Sequence, residues 1–300
     1  MPPQNYLVDL PDREGQAIRR LLKSPFLPVG FVSSLGLDSG FAWYILEMRM
    51  DRLSEFTGDI DLLAGQLRWR DPKAFDSLLA EEAKKAPDAH PSWHSFTAAL
   101  RLAADGGIRW PPPTNYLVGI EAKCAYLAPE AERISNQAIK SKKSSPQKIR
   151  RLQGQVERLV MMGFDKVALL DMIATPPALG RNINAWFEAL YTALQAWDVM
   201  QPILKKRLPE ESLAGHWTWP IGSIVGGDES QRGAGAPVEL RSARDNLYLQ
   251  KDAAVQKRRQ RMNEKVEDLM NGLPPPRSFP VIFVDCRLCC GIHSLDEPCP

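Results

Sequence analysis

The chain has 300 residues, of which 44% are apolar and 25% charged. These are ordinary globular values that allow a sizeable core and exclude whole-chain disorder, collagen and coiled coil. Its 38 basic and 36 acidic residues leave a net charge of +2, which excludes a uniformly basic histone-like binder but not a local basic face. No apolar run reaches the ~20 residues that span a bilayer, and Met1-Pro2-Pro3-Gln4-Asn5 lacks the basic-then-apolar order of a signal peptide. A soluble cytoplasmic protein without a membrane partner is expected.

Residues 1–37 read as an N-terminal extension with a short amphipathic helix from Arg13 to Lys23. Residues 38–54 are expected to form a helix with Phe41, Tyr44, Ile45, Met48 and Leu53 on one face and Asp38 or Ser39 as cap. Gly58 to Gly65 reads as a strand. Two exposed helices, Asp76 to Lys85 and Ser92 to Ala104, lie in an insertion over 66–113 that ends at the rigid Trp110-Pro111-Pro112-Pro113. Tyr116 to Tyr126 is a second strand. Residues 130–163 read as helical with a break at Ser144-Ser145-Pro146. Lys166 to Ala174 is a continuously apolar strand of the kind buried in a sheet. Residues 184–206 read as an aromatic-rich helix, 214–237 as a glycine-rich loop, 251–271 as a basic helix, and Phe279 to Asp285 as a last strand. Strands alternate with helices, so an α/β class is expected.

Asp59 and Asp61 stand two apart on one expected strand, and Glu121 and Lys123 two apart on the next. Residues i and i+2 of a strand share a face. Taken alone, either pair is ordinary surface charge. Here both interrupt apolar runs, and burying such charge without a cation is costly. If the two strands are neighbours with matching faces, three carboxylates and an ammonium meet, and hard divalent cations prefer such oxygens. The equipment suits metal-assisted phosphodiester hydrolysis.

Gly58-Asp59-Ile60-Asp61-Leu62-Leu63 followed by Gly119-Ile120-Glu121-Ala122-Lys123 resembles the PD-(D/E)xK nuclease superfamily, over roughly 38–175. The order of elements also fits: a helix, the Asp strand, the E-x-K strand, a basic helix with glutamines and a buried strand. The resemblance implies a restriction-endonuclease-like core (38–180) of a mixed sheet flanked by helices. A mainly helical region (181–278) and a cysteine-rich tail (279–300) would follow. It implies Mg²⁺ or Mn²⁺ held by Asp61, Glu121 and the main-chain carbonyl of Ala122, with Lys123 positioning or activating water. Asp59 is an additional acid. Glu47 is the candidate acid of the first helix, with Glu55 or Asp38 as alternatives, and Gln153 or Gln155 the candidate glutamine. Pairing of the two strands requires the 66–113 insertion to loop out.

The resemblance makes DNA a likelier substrate than RNA, and a bacterial defence or mobile-element system would suit it. Lys140, Lys142, Lys143, Lys148, Arg150 and Arg151 follow the E-x-K strand and are candidate phosphate contacts. The run Lys257-Arg258-Arg259-Gln260-Arg261 reads as an exposed helix face. A protein partner or a homo-oligomer is compatible with these features. The competing readings are a nuclease-like scaffold that binds without cutting and a zinc-stabilised subunit of a larger assembly.

Four of the five cysteines fall in the last fifteen residues. Cys286, Cys289, His293 and Cys299 have ligand types and spacing suited to a structural zinc, with Cys290 able to replace Cys289; an iron–sulfur cluster is a lesser alternative. His90 and His94 lack a third ligand. His216, between tryptophans, reads as packing. The 222–235 stretch lacks the ending of a phosphate-binding loop, and no nucleophile-elbow motif appears.

Overall fold

The computed structural model describes residues 7–9, 14–23, 28–37, 41–52, 58–127, 146–174, 204–221 and 238–295. The strands are β1 (Leu7–Asp9), β2 (Ala42–Arg49), β3 (Asp59–Gln66), β4 (Leu117–Leu127), β5 (Lys166–Ala174), β6 (Gly215–Ile221), β7 (Val238–Arg241), β8 (Val281–Asp285) and β9 (Ile292–Ser294). The helices are α1 (Glu14–Leu22), α2 (Pro72–Lys85), α3 (Pro91–Ala104), α4 (Pro146–Met162), α5 (Tyr248–Lys251) and α6 (Ala253–Asn271). The class is α/β. Eight strands follow the order β7-β6-β5-β4-β3-β2-β8-β9, and β1 pairs with β4 off that path. The sheet is mixed: β2–β8 and β5–β6 are parallel, whereas β2–β3, β3–β4, β6–β7 and β8–β9 are antiparallel.

The contacts divide the chain into two compact units. One comprises 1–21, 121–158 and 168–244, and the other 22–120, 159–167 and 245–300.

In the second unit, β2 corrects the helix expected over 38–54. Phe41, Tyr44, Ile45 and Met48 have helical spacing, but Ala42, Trp43 and Leu46 between them are equally apolar and equally buried. An unbroken apolar run is the pattern of a strand buried on both faces, and β2 lies between β3 and β8. Gly65 is required here: a Cβ on it would sit 2.2 Å from Cζ2 of Trp43. The insertion after β3 forms the α2–α3 pair, and its helix starts are capped locally. Asp71 accepts from the Lys73 amide at 2.9 Å, and His90 accepts from the Ser92 amide at 3.2 Å. With those helices looped out, β3 and β4 are hydrogen-bonded neighbours, Leu62 opposite Ile120 and Leu63 opposite Gly119. Phe41, Trp69, Phe75, Phe96 and Phe279 form an aromatic cluster, with Trp69 stacked on Phe75 at 5.1 Å. The Trp110 indole donates to the carbonyls of Met270 and Leu273 at 3.1 and 3.0 Å, fastening the end of α6.

In the first unit, β6 corrects the loop expected over 214–237, and β6 and β7 both lie in the stretch expected to be mainly helical. The strand forms beside β5, Ala168 opposite Gly215 through Ala174 opposite Ile221. Gly215 marks a close backbone approach, since a Cβ there would meet the Ala243 nitrogen at 2.8 Å. Ala168 to Met172 on β5 and His216 to Trp219 on β6 are buried. So are Ala17, Ile18 and Leu21 of α1 and Leu152 and Val156 of α4.

Candidate functional site

The E-x-K pair sits on the part of β4 that belongs to the first unit. Glu121 is only 2% exposed, and a carboxylate so buried needs a cation. Lys123 supplies it: its Nζ lies 2.8 Å from Glu121 Oε1 and donates to the Ala122 carbonyl at 2.8 Å. The same ammonium lies 3.6 Å from Oε2 of Glu14, at the first turn of α1. Three oxygens from two elements therefore surround one cationic position.

Asp171 on β5 extends this charge system. It is fully buried. Arg207 Nη1 is 2.9 Å from its Oδ1, and His216 Nε2 is 2.7 Å from its Oδ2. Gln153 of α4 donates to the Arg207 carbonyl at 3.2 Å. Burial pushes the Asp171 carboxyl up, but Arg207, His216 and Lys123 together outweigh it and hold it below the usual carboxylate value. The influence of Lys123 ties the two groups electrostatically.

Sequence reasoning missed Glu14, Asp171 and Arg207 and read His216 as packing. The signals available were slight: an acid opening an amphipathic helix, an acid inside the apolar Leu169-Leu170-Asp171-Met172, and a histidine between tryptophans. Glu47 is not on a helix. It lies on β2, with φ of 53°, between Leu46 and Met48, whose partners are Leu62 and Ile60. The β2–β3 register thus sets Glu47 and Asp61 at one level in the second unit. Asp59, at the head of β3, is ion-paired with Arg287. Asp61 lies on β3 in the second unit, and Glu121 on the part of β4 that belongs to the first. Glu55 and Asp38 lie outside the described residues.

Of the candidate phosphate contacts, Arg150 and Arg151 are exposed on α4, and Lys148 lies in its first turn. Lys140, Lys142 and Lys143 lie outside the described residues. The basic run on α6 is not a uniformly exposed face. Arg259 is buried, donating to the carbonyls of Gly163 at 3.1 Å and Asn115 at 2.8 Å and pairing with Asp165 at 2.5 Å. Arg258 donates to the Met161 carbonyl at 2.8 Å. Of the four basic residues in this run, Arg258 and Arg259 hold the fold together.

At the C-terminal end, one atom each of Cys286, Cys289 and His293 lies within 4.8 Å of the others, a group that could hold a metal ion. The Cys290 sulfur is exposed and lies 3.7 Å from the Arg287 carbonyl. Cys299 lies outside the described residues. His90 caps α3, and His94 Nε2 contacts the Ala86 carbonyl at 2.7 Å. Among the described residues no helix is long and apolar enough to cross a membrane. Comparison with family models, with curated proteins and with solved structures finds no match.

Proposed function

We propose that this chain is a divalent-metal-dependent nuclease of the restriction-endonuclease-like type. It hydrolyses phosphodiester bonds, in DNA before RNA, and works in the cytoplasm of a bacterial defence or mobile-element system. The observation that carries the reading is the convergence of Glu121 Oε1, the Ala122 carbonyl and Glu14 Oε2 on the Lys123 ammonium. Carboxylate and carbonyl oxygens already gathered around a cation are the donor set that Mg²⁺ or Mn²⁺ prefers. The residues therefore fit such an ion, with Glu121, the Ala122 carbonyl and Glu14 as its holders here. By the sequence resemblance Asp61 joins them, with Asp59 as an accessory acid.

When bound, the metal stabilises charge developing on the phosphate and leaving oxygen. Lys123 has the position and charge to hold the attacking water once it leaves its three oxygen partners. Asp171, fixed by Arg207 and His216, keeps negative charge behind the site. Arg150 and Arg151 offer exposed guanidinium groups to the phosphate backbone. In the tail, two thiolates and an imidazole are the donors Zn²⁺ favours over harder cations.

The test is cleavage of plasmid, single-stranded DNA and RNA by purified protein with Mg²⁺, Mn²⁺ or EDTA, beside Lys123→Ala, Glu121→Gln and Asp61→Ala. The expected result is metal-dependent cutting that falls about 10²–10⁴-fold in Lys123→Ala and is lost in the two acid variants. Nucleic-acid binding without turnover, equal in wild type and Lys123→Ala, would replace this reading with a non-catalytic scaffold. Cutting that persists in all three variants would overturn the site.

A further inference from the structure

The turn between β8 and β9 is held from below before any metal is considered. Asp285, the last residue of β8, is fully buried. Arg49 donates to it through Nε at 3.2 Å, Nη2 at 2.9 Å and its own amide at 3.1 Å, and the Arg52 Nε lies 3.1 Å away. The next residue, Cys286, donates its amide to the Gly291 carbonyl at 2.9 Å, while Val284 opposite His293 and Asp285 opposite Ile292 set the hairpin. Cys290 turns the chain in the left-handed region with φ of 54°. Its carbonyl accepts from the Arg52 guanidinium. Arg49, at the end of the neighbouring strand β2, and Arg52, three residues beyond it, thus hold Asp285 and the Cys290 carbonyl.

We infer that Cys286, Cys289 and His293 together bind one Zn²⁺ ion, and that the ion sets the position of Arg287 and, through it, of the Asp59 end of β3. This deepens the zinc reading of the tail and is independent of the hydrolytic one. His293 Nδ1 lies 2.9 Å from the Ser294 carbonyl. A carbonyl only accepts, so Nδ1 carries the proton and the ring lone pair is on Nε2, the tautomer that a backbone partner fixes in zinc-bound histidines. Tetrahedral zinc with bonds of about 2.0–2.3 Å sets its ligand atoms about 3.5–3.8 Å apart. The three atoms lie within 4.8 Å of one another, so closing to that spacing takes at most about an ångström, within the reach of side-chain torsions. The Cys290 sulfur is not part of this group and lies 3.7 Å from the Arg287 carbonyl.

The ion has a structural consequence. Arg287 stands inside the knuckle, between the two ligating cysteines, and pairs with Asp59 at the head of β3. Zinc that fixes Cys286 and Cys289 therefore fixes Arg287, and through it the Asp59 end of the strand that carries Asp61.

The experiment measures zinc by mass spectrometry on full-length protein reconstituted under reducing conditions. X-ray absorption and hydrogen–deuterium exchange follow on the same samples. Wild type and Cys290→Ser should bind one zinc per chain, while Cys286→Ser, Cys289→Ser and His293→Ala should each lose most of it with circular dichroism unchanged. The absorption spectrum should show both sulfur and imidazole nitrogen neighbours. Chelation should speed amide exchange at 286–294 and 58–60, and Arg287→Ala should remove the second response while retaining zinc. Absence of zinc from well-folded reduced wild type would overturn the zinc reading itself. Loss of zinc in Cys290→Ser, or full retention of it in Cys286→Ser, Cys289→Ser or His293→Ala, would overturn the ligand assignment while leaving a zinc site.

Discussion

Asp171→Asn is the perturbation that most directly tests the charge system beneath the candidate site. The change keeps the shape of the side chain and removes its charge, leaving Arg207, itself buried, without its carboxylate at 2.9 Å. Breaking a buried pair by removing one partner costs about 3–5 kcal/mol. With an unfolding entropy of about 2.1 cal/mol/K per residue, a chain of 300 residues that unfolds cooperatively should lose about 5–8 °C in Tm. The pH dependence has a definite sign. The folded-state pKa of Asp171 is held below its unfolded value, because Arg207, His216 and Lys123 outweigh the opposing effect of burial. Its stabilisation is therefore fully present above the unfolded value of about 3.9 and is lost as pH falls through the folded one. The gap between wild type and variant should be constant near neutrality and should close below about pH 4. Urea titrations followed by circular dichroism between pH 3 and 7 measure both quantities. Arg207→Met and the double variant complete a cycle in which the two losses should be strongly non-additive. A variant within about 1 kcal/mol of wild type at pH 7, with the same acid limb, would refute the claim that this cluster is a coupled buried unit.

Gly65→Ala should destabilise by at least about 1–3 kcal/mol, because the added methyl meets the Trp43 ring; Trp43→Leu in the same chain should recover part of the loss in a thermal melt. Asp165 gives the opposite pH sign to Asp171. Burial raises its carboxyl pKa despite Arg259 and the Leu117 amide, so relative to Asp165→Asn the wild type should gain stability as pH falls through that raised value. A parallel acid limb in the two proteins would contradict this. Arg259→Ala removes the partner of Asp165 and the donor to two buried carbonyls and should cost about 3–5 kcal/mol. Arg261→Ala, on the exposed side of the same helix, should stay within about 0.5 kcal/mol.

Much of the local structure was legible because it is written in local periodicity. The unbroken apolar run from Lys166 to Ala174 gives β5 with the expected bounds. The acids that interrupt apolar runs mark β3 and β4, and the close spacing of Cys286, Cys289 and His293 foreshadowed the cluster they form. Where one pattern satisfied two periods, sequence reading failed. The Phe41 to Met48 segment fits a helical face, and only the burial of its other residues between β3 and β8 makes it a strand.

The partners of charge were decided by tertiary structure alone. Nothing local separates Arg259, buried on Asp165, from Arg261 two residues on, exposed. Nothing local gives Glu14 to Lys123, Arg207 and His216 to Asp171, or Arg49 to Asp285, 236 residues away. A buried charge must find an opposite one wherever the chain brings it. Spacing along the chain therefore reveals that Glu121 needs a cation, while only the folded sheet and the helices around it determine which groups supply the charges and how they converge.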